Sequence, residues 1–283
     1  MIVNLNNLGL IKVIGADARS FLQNQLSNDI ELITKNNTQL SAYLTPQGRI
    51  IALFRIFKIN DGYLLELAKD LVKKVLKRLQ IYVMMSKVEL IDATNEYVKL
   101  GFIGYKNSAE LKALIKKNNL MLYNIDNKRK MLIYKNNGDL DKYLATASKN
   151  EVWQQENINN FISEVNLATS ELFLPQMLNL DLDANPGVSF KKGCYPGQEV
   201  VARLNYLGSA KQRLIKLKSK NKIKAGDKLS ITKSTSLKDA GIIVSVVKIG
   251  GDFLALASIE TKFINSDDEI KLKNSNTILI REK

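Results

Sequence analysis

A chain with 1 cysteine and 0 histidines has no covalent or metal staple to fold around. One thiol allows no intrachain disulfide, no four-cysteine zinc site and no Cys₄ cluster site within one chain. The fold must therefore rest on an apolar core. The 283 residues are enough for one. A chain of about 300 residues hides roughly three quarters of its unfolded surface, and its size suggests about two domains. The same two counts exclude chemistry. A Ser-His-Asp triad, a Cys-His pair and an HExxH zinc helix are all impossible. The usual general base near neutral pH is missing. What remains is carboxylates, lysine, tyrosine, hydroxyls, one thiol, or a group brought from outside.

Apolar periodicity gives the organisation. Leu8 to Ile14 reads as a strand. Asp17 is a plausible N-cap for a helix whose buried face carries Ala18, Phe21, Leu22, Gln25 and Leu26. Gln39 to Leu44 is extended, Thr45-Pro46-Gln47-Gly48 is a turn, and Arg49 to Ile59 is a long strand. Asn60-Asp61-Gly62 signals a hairpin into Tyr63 to Leu67. Leu71, Val72, Val75, Leu76 and Leu79 mark a second amphipathic helix, and Ser86 to Asp92 is extended again. Tyr97 to Tyr105 reads as a strand and Ala109 to Lys117 as a helix. This order predicts two α+β units. From about Lys211 the pattern changes to short apolar runs punctuated by Gly226, Gly241 and Gly250-Gly251. Leu214 to Leu217, Lys228 to Thr232, Gly241 to Ile249, Phe253 to Ile259 and Glu269 to Leu272 predict a small β-barrel. The expected domains are residues 1–207 and 208–283.

Lys and Arg number 42 against 28 Asp and Glu, a net charge of 42 − 28 = +14. Such a surface favours anionic partners. The basic residues are dispersed; the densest stretch is Lys73, Lys74, Lys77 and Arg78 on one helix face. Most such faces are simply solvated, and RNA binding is the alternative reading. No apolar run approaches the ~20 residues of a membrane span, and the N-terminus does not read as a secretory signal. A cytoplasmic protein with a reduced thiol and no membrane partner is expected.

The most informative stretch surrounds the cysteine: Gly187-Val188-Ser189-Phe190-Lys191-Lys192-Gly193-Cys194-Tyr195-Pro196-Gly197-Gln198-Glu199-Val200-Val201-Ala202-Arg203. Gly187, Gly193 and Gly197 allow a tight loop. Pro196 suits the first turn of a helix, with Glu199 complementing its dipole. Cys194 would lie just before that helix, near Lys191 and Lys192. Both influences favour a thiolate, moving a thiol from about 8.5 toward roughly 7. A lone cysteine is more often buried and inert. Flanking Gly, Tyr, Pro and Lys point instead to a functional thiol.

Lys192-Gly193-Cys194-Tyr195-x-Gly197-Gln198-Glu199 resembles the signature of the YgfZ family of folate-binding, tRNA-modification and iron–sulfur proteins. The resemblance covers nearly the whole chain. It includes Gly15-Ala16-Asp17, Gln47-Gly48-Arg49, Ser86-Lys87-Val88, Pro175-Gln176-x-x-Asn179-Leu180, Arg203 and Lys211-Gln212-Arg213. It implies the fold of the glycine cleavage T-protein, a tetrahydrofolate-dependent aminomethyltransferase. That fold is an α+β cloverleaf of two subdomains around a central folate cavity, plus a C-terminal β-barrel.

The resemblance also implies residues. Trp153, the lone tryptophan, matches a position associated with folate binding, and Leu8 stands where the family has an aromatic. Leucine offers contact but no stack. Phe161 and Ser163 replace a common Gly and Pro. The transferases carry an Asp-Asp pair where this chain has Ala52-Leu53, so an aminomethyltransferase is not expected, nor an autonomous enzyme. The implied function is a monomeric accessory protein that binds tetrahydrofolate or a derivative. It would support iron–sulfur cluster assembly or repair with client or assembly proteins, and through them tRNA modification. Cys194 would be the reactive thiol or a transient cluster ligand. Lys192 would bias it to thiolate, while Gly193, Tyr195, Gly197, Gln198, Glu199 and Arg203 hold the loop or meet the partner. tRNA is then served indirectly. The alternatives are a folate-dependent one-carbon transferase or oxidase, and a direct tRNA-binding protein.

Overall fold

The computed structural model describes residues 1–283 except 36, 85, 105–112, 114–115, 117–119, 136–140, 232–238, 276 and 283. Contacts divide the chain into two compact units: Met1–Gln23, Asp29–Leu40 and Phe54–Trp153, then Asn24–Asn28, Ser41–Leu53 and Gln154–Lys283.

A five-stranded sheet has the order β3-β4-β5-β2-β6. Its strands are β2 (Leu8–Ile14), β3 (Thr38–Leu44), β4 (Ile50–Ile59), β5 (Gly62–Ala68) and β6 (Glu89–Asp92). β4 and β5 pair as the expected hairpin, with Arg55 opposite Glu66. Helix α1 (Ala18–Gln25) buries Ala18, Phe21 and Leu22. Helix α2 (Val72–Gln80) buries Val72, Val75 and Leu79, and both match the apolar spacing. Asp17 does not cap α1 with its side chain. Its carboxylate accepts the Lys87 backbone N–H at 2.7 Å, and its own N–H donates to the Lys87 carbonyl at 3.3 Å. The two short motifs 15–17 and 86–88 are thus halves of one contact.

The second sheet, β1-β7-β9-β8, uses β1 (Ile2–Asn4), β7 (Tyr97–Ile103), β8 (Met121–Asn124) and β9 (Arg129–Lys135). The helix expected over Ala109 to Lys117 falls largely outside the described residues. Helix α3 (Asp141–Ala145) and helix α4 (Glu151–Asn159) follow, and α4 carries Trp153. One apolar core in the first unit joins Leu8, Leu10, Phe57 and Leu64 to Tyr123, Met131, Ile133 and Trp153.

In the second unit, helix α5 (Gln198–Leu207) precedes a closed barrel of order β10-β13-β12-β11-β14-β15. The barrel strands are β10 (Gln212–Ser219), β11 (Lys228–Ile231), β12 (Gly241–Ile249), β13 (Asp252–Glu260), β14 (Ile270–Leu272) and β15 (Ile278–Glu282). Leu217, Leu229, Ile243, Ala257 and Ile259 fill it. Closure removes the sheet edges that an open sheet would expose. Phe161, in place of the family's common Gly, keeps a left-handed backbone with φ 54°.

Candidate functional site

Cys194 is exposed, on a loop held from beneath. Lys192 is 9% exposed, and its ammonium turns inward. Its Nζ donates to the carbonyls of Leu26 at 2.6 Å and Asn28 at 3.1 Å, and stands 5.2 Å from the Tyr195 ring centroid. Expected as the thiol's neighbour, Lys192 is the loop's buried anchor, because two backbone carbonyls hold its ammonium. Burial pushes the Tyr195 hydroxyl up to about 12, so it stays neutral.

The anchoring segment is itself fixed. Ser27 Oγ donates to the Gly187 carbonyl at 2.6 Å, Asn28 Nδ2 donates to Pro186 O at 3.0 Å, and the Ser189 N–H donates to Ser27 O at 2.9 Å. The loop therefore lies along residues 26–28 through side-chain and backbone bonds.

On the far side the loop runs into α5, later than expected. The cap is Gly197, with φ 80°, and the helix begins at Gln198. Pro196 precedes the cap rather than occupying the first turn, and Cys194 lies three residues upstream of it. The N-terminus of α5 is therefore farther along the chain from Cys194 than the sequence implied. Glu199 does sit in the first turn. Gly197 is required by close approach as well as by φ. A Cβ there would lie 2.5 Å from the Thr45 carbonyl and 2.8 Å from the Gly48 Cα. The turn 45–48 and the signature loop interlock through two glycines, since a Cβ on Gly48 would meet Val200 at 3.1 Å.

The other motifs join the same network. Gln176 Nε2 donates to Val201 O at 2.8 Å. Arg213 donates to Gln176 O at 2.9 Å and forks onto the Asp181 carboxylate at 2.5 and 2.8 Å. Arg49 donates to Leu172 O at 2.6 Å. These bonds tie the elements beneath the thiol into one scaffold, in which only the Gln176 Oε1 atom of the residues just named is buried without a partner. The outer face of α5 is open. Glu199, Val200, Arg203, Leu204 and Leu207 line a groove of about 610 Å³ with Leu174 and Lys211. Leu207 is 83% exposed, and Tyr206, exposed beside it, meets Phe190 of the loop edge-on at 6.0 Å.

The first unit carries a second polar centre. Leu8 and Trp153 share its core, at 5% and 4% exposure. The indole is covered rather than open. Gly101 abuts its ring, where a Cβ would lie at 2.6 Å, and the Arg129 guanidinium stands 4.8 Å from its centroid. Arg129 is fully buried and donates to Asp126 at 2.7 Å. Burial alone would raise Asp126, but the N–H groups of Lys128 and Arg129 and the guanidinium hold it below the usual carboxylate range.

Arg55 and Glu66 face each other across β4 and β5 on the side of Phe57 and Leu64. Burial lowers Arg55, which Glu66 opposes, and raises Glu66, which Arg55, Lys99 and Arg129 oppose. The Glu66 Oε2 atom is buried with no hydrogen-bond partner. Sequence reasoning missed Arg55, Glu66 and Arg129. The available signal was a charge interrupting the apolar runs 50–59 and 63–67; Arg129, at the start of 129–135, gave none.

No family model matches the chain. It is 29% identical to an uncharacterized protein of Haemophilus influenzae, over 99% of this chain and 95% of that protein. It is 28% identical to the tRNA-modifying protein YgfZ of Aliivibrio fischeri, over 96% and 88%, and 27% identical to that of Escherichia coli O127:H6, over 99% and 91%. The resemblance to the YgfZ family runs the length of the chain. The fold is that of the glycine cleavage aminomethyltransferase T from Bartonella henselae, with a TM-score of 0.69 at 13% identity over 99% of this chain and 84% of that one. The YgfZ signature thus sits on a T-protein fold. Ala52 and Leu53 of this YgfZ-like chain are buried in β4.

Proposed function

We propose that the protein supports tRNA modification as a folate-binding accessory of iron–sulfur cluster assembly or repair, acting through Cys194. The observation that carries the thiol's part is its setting. An exposed sulfur stands on a loop anchored from below at Gly187 and Lys192. An accessible thiol on an anchored loop suits ligand exchange or thiol exchange with a partner. One thiolate cannot hold a cluster alone, so the remaining ligands come from the partner. Among the described residues no group of three or more Cys, Asp or Glu is placed to hold a metal ion. The relatives named as tRNA-modifying proteins support the pathway.

The donor set of the first unit fits a folate. A pterin presents an N–H edge, and Glu66 offers a buried carboxylate oxygen without a partner. Folate's glutamate tail is anionic, and the chain's net charge of +14 suits such a ligand. Trp153 seats Arg129, and Leu8 packs in the same core. When bound, the folate would supply one-carbon chemistry or a folate-dependent switch. The same Glu66 favours a second reading, a folate-dependent one-carbon enzyme. A carboxyl raised by burial is the acid–base group that the sequence did not offer.

The test is complementation of a deletion strain, read as the thiolated fraction of tRNA. Cys194→Ala is expected to fold with unchanged melting temperature and to lose the modification at least about tenfold. Full restoration overturns the thiol's role. Tetrahydrofolate titration followed by Trp153 fluorescence and by calorimetry tests the ligand. A flat titration removes it.

A further inference from the structure

Helix α2 is built at some cost to its own stability. Lys69, Lys73 and Lys77 are exposed and recur every four residues, with Ile81 next in line; Lys74, Arg78 and Tyr82 form the parallel row. Residues four apart on a helix are neighbours, about 6 Å along its axis. The first row therefore stacks like charges, which destabilises a helix, while Asp70 precedes Lys74 by one turn in the second row. The first turn of α2 holds Lys73 and Lys74 and no acid, although that end of a helix favours anions. Among the described residues no acid lies within ion-pair distance of Lys69, Lys73, Lys77 or Arg78. Just past the helix, Tyr82 is 48% exposed and Met84 is 87% exposed.

We propose that this face of α2, with Tyr82 at its end, is an RNA-docking surface. The cations stand in rows rather than converging on a point, which suits a chain of phosphates and not a single small anion. The exposed phenol ring is placed to stack on an unpaired base, the usual mode of reading single-stranded RNA. An anionic membrane is the competing polyanion. A helix that lies in a membrane surface needs its apolar face free. Here Val72, Val75 and Leu79 are already buried. The surface belongs to the first unit and uses neither Cys194 nor the folate-fitting residues, so its failure would leave the proposed function standing. It replaces the indirect relation to tRNA implied by the resemblance with direct contact.

The experiment measures anisotropy of a labelled, unmodified tRNA transcript against the full chain from 50 to 200 mM salt. Lys73→Gln/Lys77→Gln/Arg78→Gln is compared with Lys220→Gln/Lys222→Gln/Lys224→Gln in the second unit. Both lower the net charge equally, from +14 to 14 − 3 = +11. The α2 variant is expected to bind about tenfold more weakly at low salt, with the log–log salt slope reduced by about 2. The control should stay within about twofold. Tyr82→Ala should lose about fivefold with the slope unchanged. The α2 variant relieves like-charge contacts but removes Lys77 and Arg78 from the last turn, where cations suit the helix dipole, so its melting temperature should change little. Equal loss in both triple variants, or no binding by the parent at 50 mM salt, overturns the proposal. So does binding to phosphatidylglycerol vesicles that alone depends on the three α2 cations.

Discussion

Lys192 and Lys99 are both buried ammonium groups, one in each unit, and they are held differently. Lys192 meets two carbonyls at 2.6 and 3.1 Å with an aromatic face beside it. Lys99 meets the Thr94 carbonyl at 3.1 Å, and burial, aided by Lys69, pushes its pKa down to about 8. Around Lys192 the polar groups close on one another. Around Lys99 the region also holds the mutually opposed Arg55 and Glu66, with a carboxylate oxygen left over. A closed network is a scaffold, and here it presents a thiol. An unfinished one is a place where a ligand's own polar groups complete the set.

The contrast is broken most directly at its strong end. Lys192→Met keeps the stem and removes the charge, leaving the Leu26 and Asn28 carbonyls without their donor. Two buried acceptors stripped in this way cost about 3 kcal/mol. We expect a urea midpoint lowered accordingly, and faster proteolysis within the signature loop. A midpoint within experimental error of the parent would mean that the loop does not depend on its anchor.

Lys99→Met should behave in the opposite way at neutral pH. A lysine whose folded pKa is depressed destabilises the fold while it must stay charged. That penalty is complete below about pH 8, fades as pH rises toward 10.5, and is gone above it. The gap of 10.5 − 8 corresponds to about 3 kcal/mol at most, less about 1 kcal/mol for the hydrogen bond that Met cannot make to Thr94. The variant should therefore be the more stable by about 2 kcal/mol at pH 7. It should be the less stable near pH 10.5, where the neutral amine still donates. Urea unfolding at both pH values checks the crossover. A difference that does not vary with pH would mean that Lys99 is not the strained partner of this pair.

How far each region could be read from sequence follows from what one dimension carries. β2 at Leu8–Ile14 and β12 at Gly241–Ile249 emerge with their observed ends, because apolar spacing and bounding glycines are local signals. The barrel was legible apart from β15, whose Ile278-Leu279-Ile280 lacks alternation. The thiol loop was legible as a motif but not as a mechanism. That Lys192 turns toward Leu26 depends on a contact across 166 positions. Asp17 looked like a cap because its partner, Lys87, lies 70 residues away. Arg55 and Glu66 were invisible because only strand register makes a pair of them. The motifs recognised by resemblance prove to be pairs of one contact, 15–17 with 87 and 48 with 197.

The smallest expected effect separates backbone strain from packing. Gly48 and Gly197 take positive φ with no side chain to clash, whereas Phe161 does so at φ 54° with a ring attached. Lys216 stands 5.5 Å from that ring, so removing it sacrifices a cation–π contact and some burial. Comparing Phe161→Gly with Phe161→Ala cancels this loss, because both variants delete the ring. At an ordinary site alanine is the more stable, since glycine gives the unfolded chain more freedom, by about 0.4–1 kcal/mol. In the left-handed region the Cβ penalty of about 1–2 kcal/mol acts the other way and is the larger. Phe161→Gly should therefore exceed Phe161→Ala by about 1 kcal/mol in chemical denaturation. An alanine variant as stable as the glycine one would mean that the backbone at 161 relaxes out of the left-handed region once the ring is gone. In that case the ring, held by Lys216, would be what imposes the conformation that glycine would permit for free.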